Sequence, residues 1–326
     1  MLAIMHNIVK TIKAEKDIAL VSHVQPDGDA IGSILGLGLA LIKRGHRVQM
    51  LNPDGVPQMF TFLPGCDLIR QEFLYVPDTV ILVDCTDIDR IGPLAKYSAK
   101  AATVINIDHH ISNSFFGKEN LVDTNAAAAG EIAYNLINAL EIELDSEIAS
   151  SLYTAIVTDT GSFQFENTTS ETHRIAADLL NHGTDLAVIR RHLWESVPLE
   201  SIKLITEILR TLELDKTGRI AWVTVPYSMF ELLGASREHA EGIVNYAKSV
   251  RGVEIGIVFK EFEPNKIRVG LRSKSYIDVN KIAQVFGGGG HKRASGCIIE
   301  SSLEEAKRAV LEEVNKALNA AGVSGG

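Results

Sequence analysis

IALVSHVQPDGDAIGS, residues 18–33, joins a short apolar run to a cluster of polar residues and glycines. The run at 18–23 has the length and composition of a buried strand, and the pattern from Ala30 to Arg44 indicates a helix ended by Gly45. Similar apolar runs follow at 47–52, 79–84 and 103–108, with helical patterns at 130–140 and 146–157. This alternation predicts an α/β fold with a doubly wound, mostly parallel sheet that is buried on both faces.

The pattern changes in the second half of the chain. Residues 171–212 are helical in pattern, and they precede predicted strands at 218–226, 253–262 and 266–273 and a helix at 303–320. The segment 263–265 predicts a hairpin turn. We therefore predict a first domain at 1–185, a helical connector at 186–213 and a smaller C-terminal α/β domain at 214–326.

Composition narrows the functional class. The net charge of -9 argues against a protein that coats long nucleic acid or binds long duplexes, because such binding depends on Lys and Arg. Three widely separated cysteines predict reduced thiols and a cytoplasmic location. We expect neither a secretory signal nor a membrane span. The sequence does not determine the oligomeric state, and a homodimer is one alternative.

The first polar cluster contains His23, Asp27 and Asp29 directly after the first predicted strand. Ligand sites of open α/β sheets form at this end of a strand. One imidazole and two carboxylates suit Mn²⁺, Mg²⁺ or a related cation, and we expect Gly28 and Gly32 to permit tight turns. By itself, the motif fits equally well an Asp-rich turn that caps a helix.

Other predicted elements end in ionisable residues. One strand ends in Asp84, another in the triplet Asp108, His109 and His110, and a helical pattern ends near Asp159. Carboxylates that converge on one sheet edge repel one another unless cations neutralise them. The sequence therefore predicts a metal centre.

These ordered motifs, with the Gly-Gly-Gly-Gly-His stretch at 287–291, resemble those of the DHH phosphoesterases over nearly the whole chain. The resemblance implies a catalytic first domain, a C-terminal substrate-binding domain and two divalent cations, expected to be Mn²⁺. Such ions, roughly 3.5 to 4 Å apart, can share a water and lower its pKa. The implied ligands are His23, Asp27 and Asp84 for one ion, and Asp29, Asp84, His109 and Asp159 for the other.

The resemblance also implies roles for three catalytic residues. Asp84 would bridge the ions. Asp108 would orient a ligand imidazole, and His110 would contact the phosphate or the leaving oxygen.

The residues that bind substrate are predicted to lie in a basic segment. Between Arg251 and Arg293 there are nine Lys or Arg residues and four Asp or Glu residues. Charge alone more often marks a solvated face, and four glycines are more often a flexible loop, but glycines also let backbone N–H groups approach an anion. The resemblance implies substrate binding by Arg272, Ser273, Gly288, Gly289 and His291.

The compact arrangement resembles the branch of bacterial nano-RNases. This implies hydrolysis of short oligoribonucleotides and of 3'-phosphoadenosine 5'-phosphate to AMP and phosphate. Cleavage of cyclic dinucleotides or linear dinucleotides, and nucleotide sensing without catalysis, stay open as alternatives. Relatives often carry an Arg near Phe163, where this chain continues Gln-Phe-Glu-Asn, so substrate preference also stays open.

Overall fold

The apolar runs of the first half form one sheet in the computed structural model, which describes residues 2–234, 240 and 242–322. The strands are β1 (Asp17–Ser22), β2 (Arg47–Leu51), β3 (Ile69–Arg70), β4 (Thr79–Val83), β5 (Thr103–Asp108) and β6 (Glu119–Val122). The helices are α1 (Leu2–Ala14), α2 (Gly28–Arg44), α3 (Ala95–Ser98), α4 (Ala129–Ala139), α5 (Ser146–Asp159), α6 (Ser170–Asn181) and α7 (Leu186–Trp194). Single 3₁₀ segments cover Gln58–Phe60, Cys66–Leu68 and Ile88–Leu94. The four predicted strands and the three predicted helices of this half are confirmed.

The sheet has the order β3-β2-β1-β4-β5-β6, and its neighbouring strands are parallel. The chain moves outward from β1 to β3 and then returns to β4 beside β1. The strand order therefore reverses between β1 and β4, which confirms the doubly wound arrangement. Ligands of open α/β sheets bind beyond the carboxyl ends of the strands at such a reversal.

Apolar residues cover both faces of this sheet. Leu20 and Ile81 belong to the larger core cluster, which includes residues of α2, α4 and α5. Val21 and Leu82 belong to a separate cluster with Ile91. Because alternate residues of a strand point to opposite faces, burial on both sides explains why the runs are continuously apolar.

Helices α2 and α5 approach each other closely because α2 presents glycines to α5. A Cβ atom on Gly32 would lie 2.4 Å from the carbonyl oxygen of Ser151, and one on Gly28 would lie 2.3 Å from Oγ1 of Thr158. Both glycines lie within the helix, so the prediction that they form tight turns is wrong. Their lack of a side chain instead allows the end of α5, which carries Asp159, to reach the start of α2.

A second compact unit begins at Val197, and the first ends at Ser196. Its strands are β7 (Glu213–Leu214), β8 (Ile220–Val225), β9 (Ile255–Glu263), β10 (Lys266–Ser273), β11 (Gly289–His291) and β12 (Ala294–Glu300). Its helices are α8 (Leu199–Arg210), α9 (Tyr227–Leu233), α10 (Val244–Ser249), α11 (Val279–Val285) and α12 (Leu303–Ala320). The sheet order is β11-β12-β10-β9-β8-β7, with β8 and β9 parallel and the other pairs antiparallel. This confirms a second α/β region and the hairpin at 263–265.

The glycine-rich stretch differs from the flexible loop that its composition favours. Gly289–His291 forms β11, which pairs antiparallel with the first residues of β12. Glycine is depleted in strands because it has no side chain to pack, so the glycine-rich composition of this stretch did not predict a strand.

The predicted connector contains α7 and α8, which fall on opposite sides of the boundary between the two units. The three-part division at 1–185, 186–213 and 214–326 stays a prediction, and Met1 and residues 235–239, 241 and 323–326 lie outside the described residues. Among the described helices, none combines the length and the apolar character needed to cross a membrane.

Candidate metal centre

The predicted ligands lie at the carboxyl ends of the central strands. His23 follows β1 and Asp84 follows β4, so these two residues flank the point where the strand order reverses. His109 follows β5. Asp27 is the N-cap of α2, where its side chain accepts from Ala30, so the motif both caps a helix and faces the centre.

The six predicted ligands lie together in two groups. In the first ligand set, Nε2 of His23 lies 3.2 Å from Oδ2 of Asp84 and 3.9 Å from Oδ1 of Asp27. In the second ligand set, Nε2 of His109 lies 3.7 Å from Asp29, 3.7 Å from Oδ1 of Asp84 and 3.6 Å from Asp159. One oxygen of Asp84 therefore faces each set.

The two imidazoles are oriented by backbone carbonyl groups. Nδ1 of His23 lies 2.8 Å from the carbonyl oxygen of Val24, and Nδ1 of His109 lies 3.3 Å from that of Ala126. A protonated Nδ1 donating to a carbonyl leaves Nε2 as the ligand atom, which is the arrangement typical of metal-binding histidines. In both residues, Nε2 is the atom that faces the carboxylates.

Asp84 is held in an unfavourable backbone conformation. Its φ of 59° lies in the left-handed region, which costs a residue other than glycine about 1–3 kcal/mol. The backbone N–H donates to Ile107 on the neighbouring strand at 2.8 Å. Its buried Oδ1 accepts no hydrogen bond from the described residues. A buried carboxylate oxygen without a donor is expected where a cation binds.

The charges of the site support the same interpretation. Burial, and then the charge of Asp84, raise the pKa of Asp29 well above its usual value. Burial lowers the pKa of His109, but the charges of Asp29 and Asp84 outweigh it and raise the pKa to about 9. The carboxylates thus require positive charge from protons or cations. Carboxylate oxygens with imidazole nitrogens suit Mn²⁺ and related divalent ions, so the residues fit a metal centre.

Asp108 forms a network behind the ligands. It is fully buried, and its Oδ1 lies 2.7 Å from Nδ1 of His110. Its Oδ2 accepts from Asn113 at 2.6 Å, and the same amide group of Asn113 donates to Asn106. The partner of Asp108 is thus His110, and not the predicted ligand His109, so the orienting effect of Asp108 falls on His110.

Sequence reasoning missed several groups that hold the ligands in place. Backbone N–H groups of Ala129 and Gly130 donate to Asp29, and the side-chain amide of Asn167 donates to the carbonyl oxygen of Asp159. Backbone groups occur in every residue, so no sequence pattern identifies them. Asn113 and Asn167 follow the triplet and the Asp159 motif by a few residues, and that position was the available signal.

Two predicted substrate residues are aligned in the second sheet. Arg272 on β10 pairs with Ala294 on β12, and Ala294 pairs with His291 on β11. Directly paired residues of antiparallel strands point to the same face, so Arg272 and His291 flank a small alanine. Strands are spaced about 4.8 Å apart, so their two backbones lie about 10 Å apart.

The adjacent row on this face consists of Gly270, Gly296 and Gly289. The space around the two predicted substrate glycines differs. A Cβ atom on Gly288 would lie 2.2 Å from the carbonyl oxygen of Gly296, whereas the nearest atom to one on Gly289 would be Oδ1 of Asn280, at 3.8 Å. Packing alone therefore requires a glycine at 288 but not at 289.

Ser273 occupies the opposite side of β10. It is buried, and its hydroxyl donates to the carbonyl oxygen of Ile277 at 2.7 Å. Its predicted contact with substrate stays a prediction.

Comparisons with known proteins identify the family of this chain. The model of the DHH family, N-terminal domain, matches residues 17–156, and that of the DHHA1 domain matches residues 225–320. The chain is 33% identical to the bifunctional oligoribonuclease and PAP phosphatase NrnA of Thermus thermophilus, over 98% of this chain and 95% of that protein. It is 31% identical to the Bacillus subtilis protein of the same name, over 90% of this chain and 93% of that protein. The crystal structure of an exopolyphosphatase-related protein from Bacteroides fragilis is similar, with a TM-score of 0.92, 26% identity, and coverage of 99% and 98%.

Proposed function

This chain belongs to the DHH family of phosphoesterases, and from that premise we propose that it hydrolyses short oligoribonucleotides and 3'-phosphoadenosine 5'-phosphate. The similarity to two proteins named as bifunctional oligoribonuclease and PAP phosphatase extends over nine-tenths or more of this chain. Both reactions break a phosphorus–oxygen bond with water, so one site suffices for them.

The observation that carries the proposal is the position of Asp84. Its Oδ2 faces His23 and its Oδ1 faces His109, at the strand-order reversal of the sheet. We propose that His23, Asp27 and Asp84 hold one Mn²⁺ ion, and that Asp29, Asp84, His109 and Asp159 hold a second. When bound, such a pair of ions lowers the pKa of a shared water and stabilises charge on the phosphoryl oxygens.

The hydrogen bond between Asp108 and His110 suits His110 for contact with substrate. Burial lowers the pKa of His110, but the hydrogen bond to Asp108 and the charge of Asp84 outweigh it and raise the pKa above its usual value. The imidazole therefore holds a proton more readily than an ordinary histidine does. We assign it to hold the phosphate or to donate that proton to the leaving oxygen.

In the second unit, we propose that Arg272 and His291 bind the phosphates or bases of the substrate. The aligned glycines beside them form a surface without side chains, where backbone groups can approach an anion. Arg268 on β10 lies on the same face, two residues from Gly270. A small basic patch on a chain with a net charge of -9 suits short anions better than long duplexes.

The three cysteines are free, and we propose a reduced, cytoplasmic environment. A homodimer is one alternative for the oligomeric state, which light scattering of the purified protein would determine.

The experiment is a substrate panel with metal-depleted and Mn²⁺-restored protein. The panel contains dinucleotide to pentanucleotide RNAs, 3'-phosphoadenosine 5'-phosphate and a cyclic dinucleotide. We expect Mn²⁺-dependent hydrolysis of the short RNAs and of the bisphosphate. If both stay intact, the proposed function is wrong. Faster cleavage of the cyclic dinucleotide than of a linear one would favour the alternative phosphodiesterase, and binding without turnover would favour a nucleotide sensor.

A further inference from the structure

The segment at residues 126–130, which we call the bridging segment, reaches two of the second-set ligands with backbone groups alone. The carbonyl oxygen of Ala126 lies 3.3 Å from Nδ1 of His109. The N–H groups of its last two residues donate to the two oxygens of Asp29, at 2.6 and 2.9 Å. The positions of both ligands therefore depend on where this segment lies.

Two side chains hold the bridging segment through Ala127, its second residue. Its N–H donates to Oε2 of Glu131, a buried residue, at 3.2 Å. Its carbonyl oxygen accepts from Nδ2 of Asn167 at 2.9 Å. The same Nδ2 donates to the carbonyl oxygen of Asp159 at 3.1 Å. One amide group thus joins the bridging segment to the third ligand of the second set.

The carbonyl oxygen of Asp159 depends on this contact because α5 ends there. Ser162 and Phe163 have φ values of 60° and 64°, so the helix does not continue. The N–H of Phe163 donates to Oγ1 of Thr160 instead of to the preceding turn of the backbone. Asn167, four residues after Phe163, supplies the missing donor to the carbonyl oxygen of Asp159.

We propose that Asn167 is a positioning residue for the second cation. It fixes Asp159 relative to the segment that orients His109 and Asp29. The inference rests on the proposed metal-dependent function. It also predicts an asymmetry, because the first set is held by other groups: the carbonyl oxygen of His23 accepts from Asn52 at 2.8 Å.

The test measures Mn²⁺ binding to Asn167→Leu by titration with electron paramagnetic resonance. Leucine is similar in size to asparagine but has no donor. We expect the first ion to bind as in the unchanged protein and the second to bind about 10- to 100-fold more weakly, the effect typical of groups that orient metal ligands. Activity should then require more Mn²⁺ and recover at high Mn²⁺, whereas Asn167→Gln, which keeps an amide donor, should recover part of the affinity.

Asn120→Leu is the matched control. The side chain of Asn120 also holds a loop through two backbone hydrogen bonds, from Gly117 N at 2.9 Å and to Gly117 O at 2.7 Å. It belongs to β6 and has no hydrogen bond to the bridging segment among those described. We expect a comparable decrease in thermal stability and unchanged binding of both ions.

Wild-type affinity for both ions in folded Asn167→Leu would overturn the inference, as would equal weakening of both. If Asn167→Leu does not fold, Asn167→Ala is titrated against the same criteria. Failure of the proposed function can be distinguished from failure of the inference about Asn167. A protein that binds two Mn²⁺ ions but leaves the RNA panel intact refutes that function, while the effect of Asn167 on the second ion can still be measured.

Discussion

Each compact unit buries acidic side chains, and the surroundings of Glu254 and of Asp29 shift the pKa values of these two carboxyl groups in opposite directions. Burial by itself would raise the pKa of Glu254 in the second unit, but hydrogen bonds lower it below its usual value. The donors are the N–H groups of Ser275, Tyr276 and Ile277 and the hydroxyl of Ser275, at 2.8 to 3.2 Å. In the first unit, burial and the charge of Asp84 raise the pKa of Asp29.

The difference indicates which acidic group is structural. Glu254 has a full set of protein donors, so its charge needs no further partner. In the described part of the chain, no group donates a hydrogen bond to one buried oxygen of Asp84, and its neighbours are other carboxylates and imidazoles. The carboxylates around Asp84 therefore require positive charge from protons or from a cation, whereas Glu254 is satisfied by hydrogen bonds within the fold.

The largest expected effect is on Asp84, the proposed bridging ligand. Asp84→Asn removes the charge that faces both ligand sets. We expect this variant to lose several kcal/mol of transition-state stabilisation, which corresponds to a decrease in kcat of about 10³-fold or more. The measurement is turnover of a dinucleotide at saturating Mn²⁺, with circular dichroism as the check on folding. Glu254→Gln is the control, and it should keep its activity. If Asp84→Asn is as active as the unchanged protein, the distinction between a functional Asp84 and a structural Glu254 is wrong.

The second prediction concerns competition between Mn²⁺ and protons. Burial lowers the pKa of His23, but Asp84 and Asp27 outweigh it and raise the pKa to about 9, as for His109. A cation binds the neutral imidazoles, so its binding releases protons below pH 9. Mn²⁺ affinity should therefore rise with pH up to about 9, by at most roughly tenfold per pH unit for each proton released. Calorimetry in buffers of different ionisation enthalpy measures the released protons, and a pH-independent affinity would disprove the assignment.

The third prediction isolates the structural carboxylate. Glu254→Gln should lower the free energy of unfolding by about 2 kcal/mol at pH 7, because charge-assisted hydrogen bonds are lost. The folded-state pKa of Glu254 lies below the usual 4.5, so its contribution is complete above that pH and is lost as pH falls through the folded-state value. Urea unfolding at several pH values measures the difference between the two proteins. A difference that stays constant down to pH 3 would contradict this account.

The smallest expected effect concerns function in the second unit. Gly289→Ala should fold normally, because the nearest atom to the added methyl group is 3.8 Å away. If substrate approaches the backbone here, KM should rise about tenfold, the loss of roughly 1.4 kcal/mol of binding. Steady-state kinetics with a dinucleotide and thermal unfolding are the two measurements. Gly288→Ala is the contrasting variant, since it should lower stability as well. An unchanged KM for Gly289→Ala would remove Gly289 from the substrate site.

Much of the first unit was predictable from local patterns. Continuous apolar runs indicated strands that are buried on both faces, and ionisable residues directly after them, such as His23 and Asp84, indicated the proposed metal ligands. Parallel strands end at one edge of a sheet, so strand assignment alone brought these residues near one another. β11 was missed because its residues carry almost no side-chain signal.

The sequence by itself determined the fold class, and it predicted the types of the proposed metal ligands and their order along the chain, because apolar periodicity and residue chemistry are local properties. Only the tertiary structure decided that each oxygen of Asp84 faces a different ligand set, and that Asp108 orients His110. It also showed that Gly28 and Gly32 serve helix packing, and that Asn167 holds the bridging segment. These features depend on where side chains and backbone groups lie in the folded chain, in most cases between residues far apart in sequence, so the pattern of residue types did not predict them.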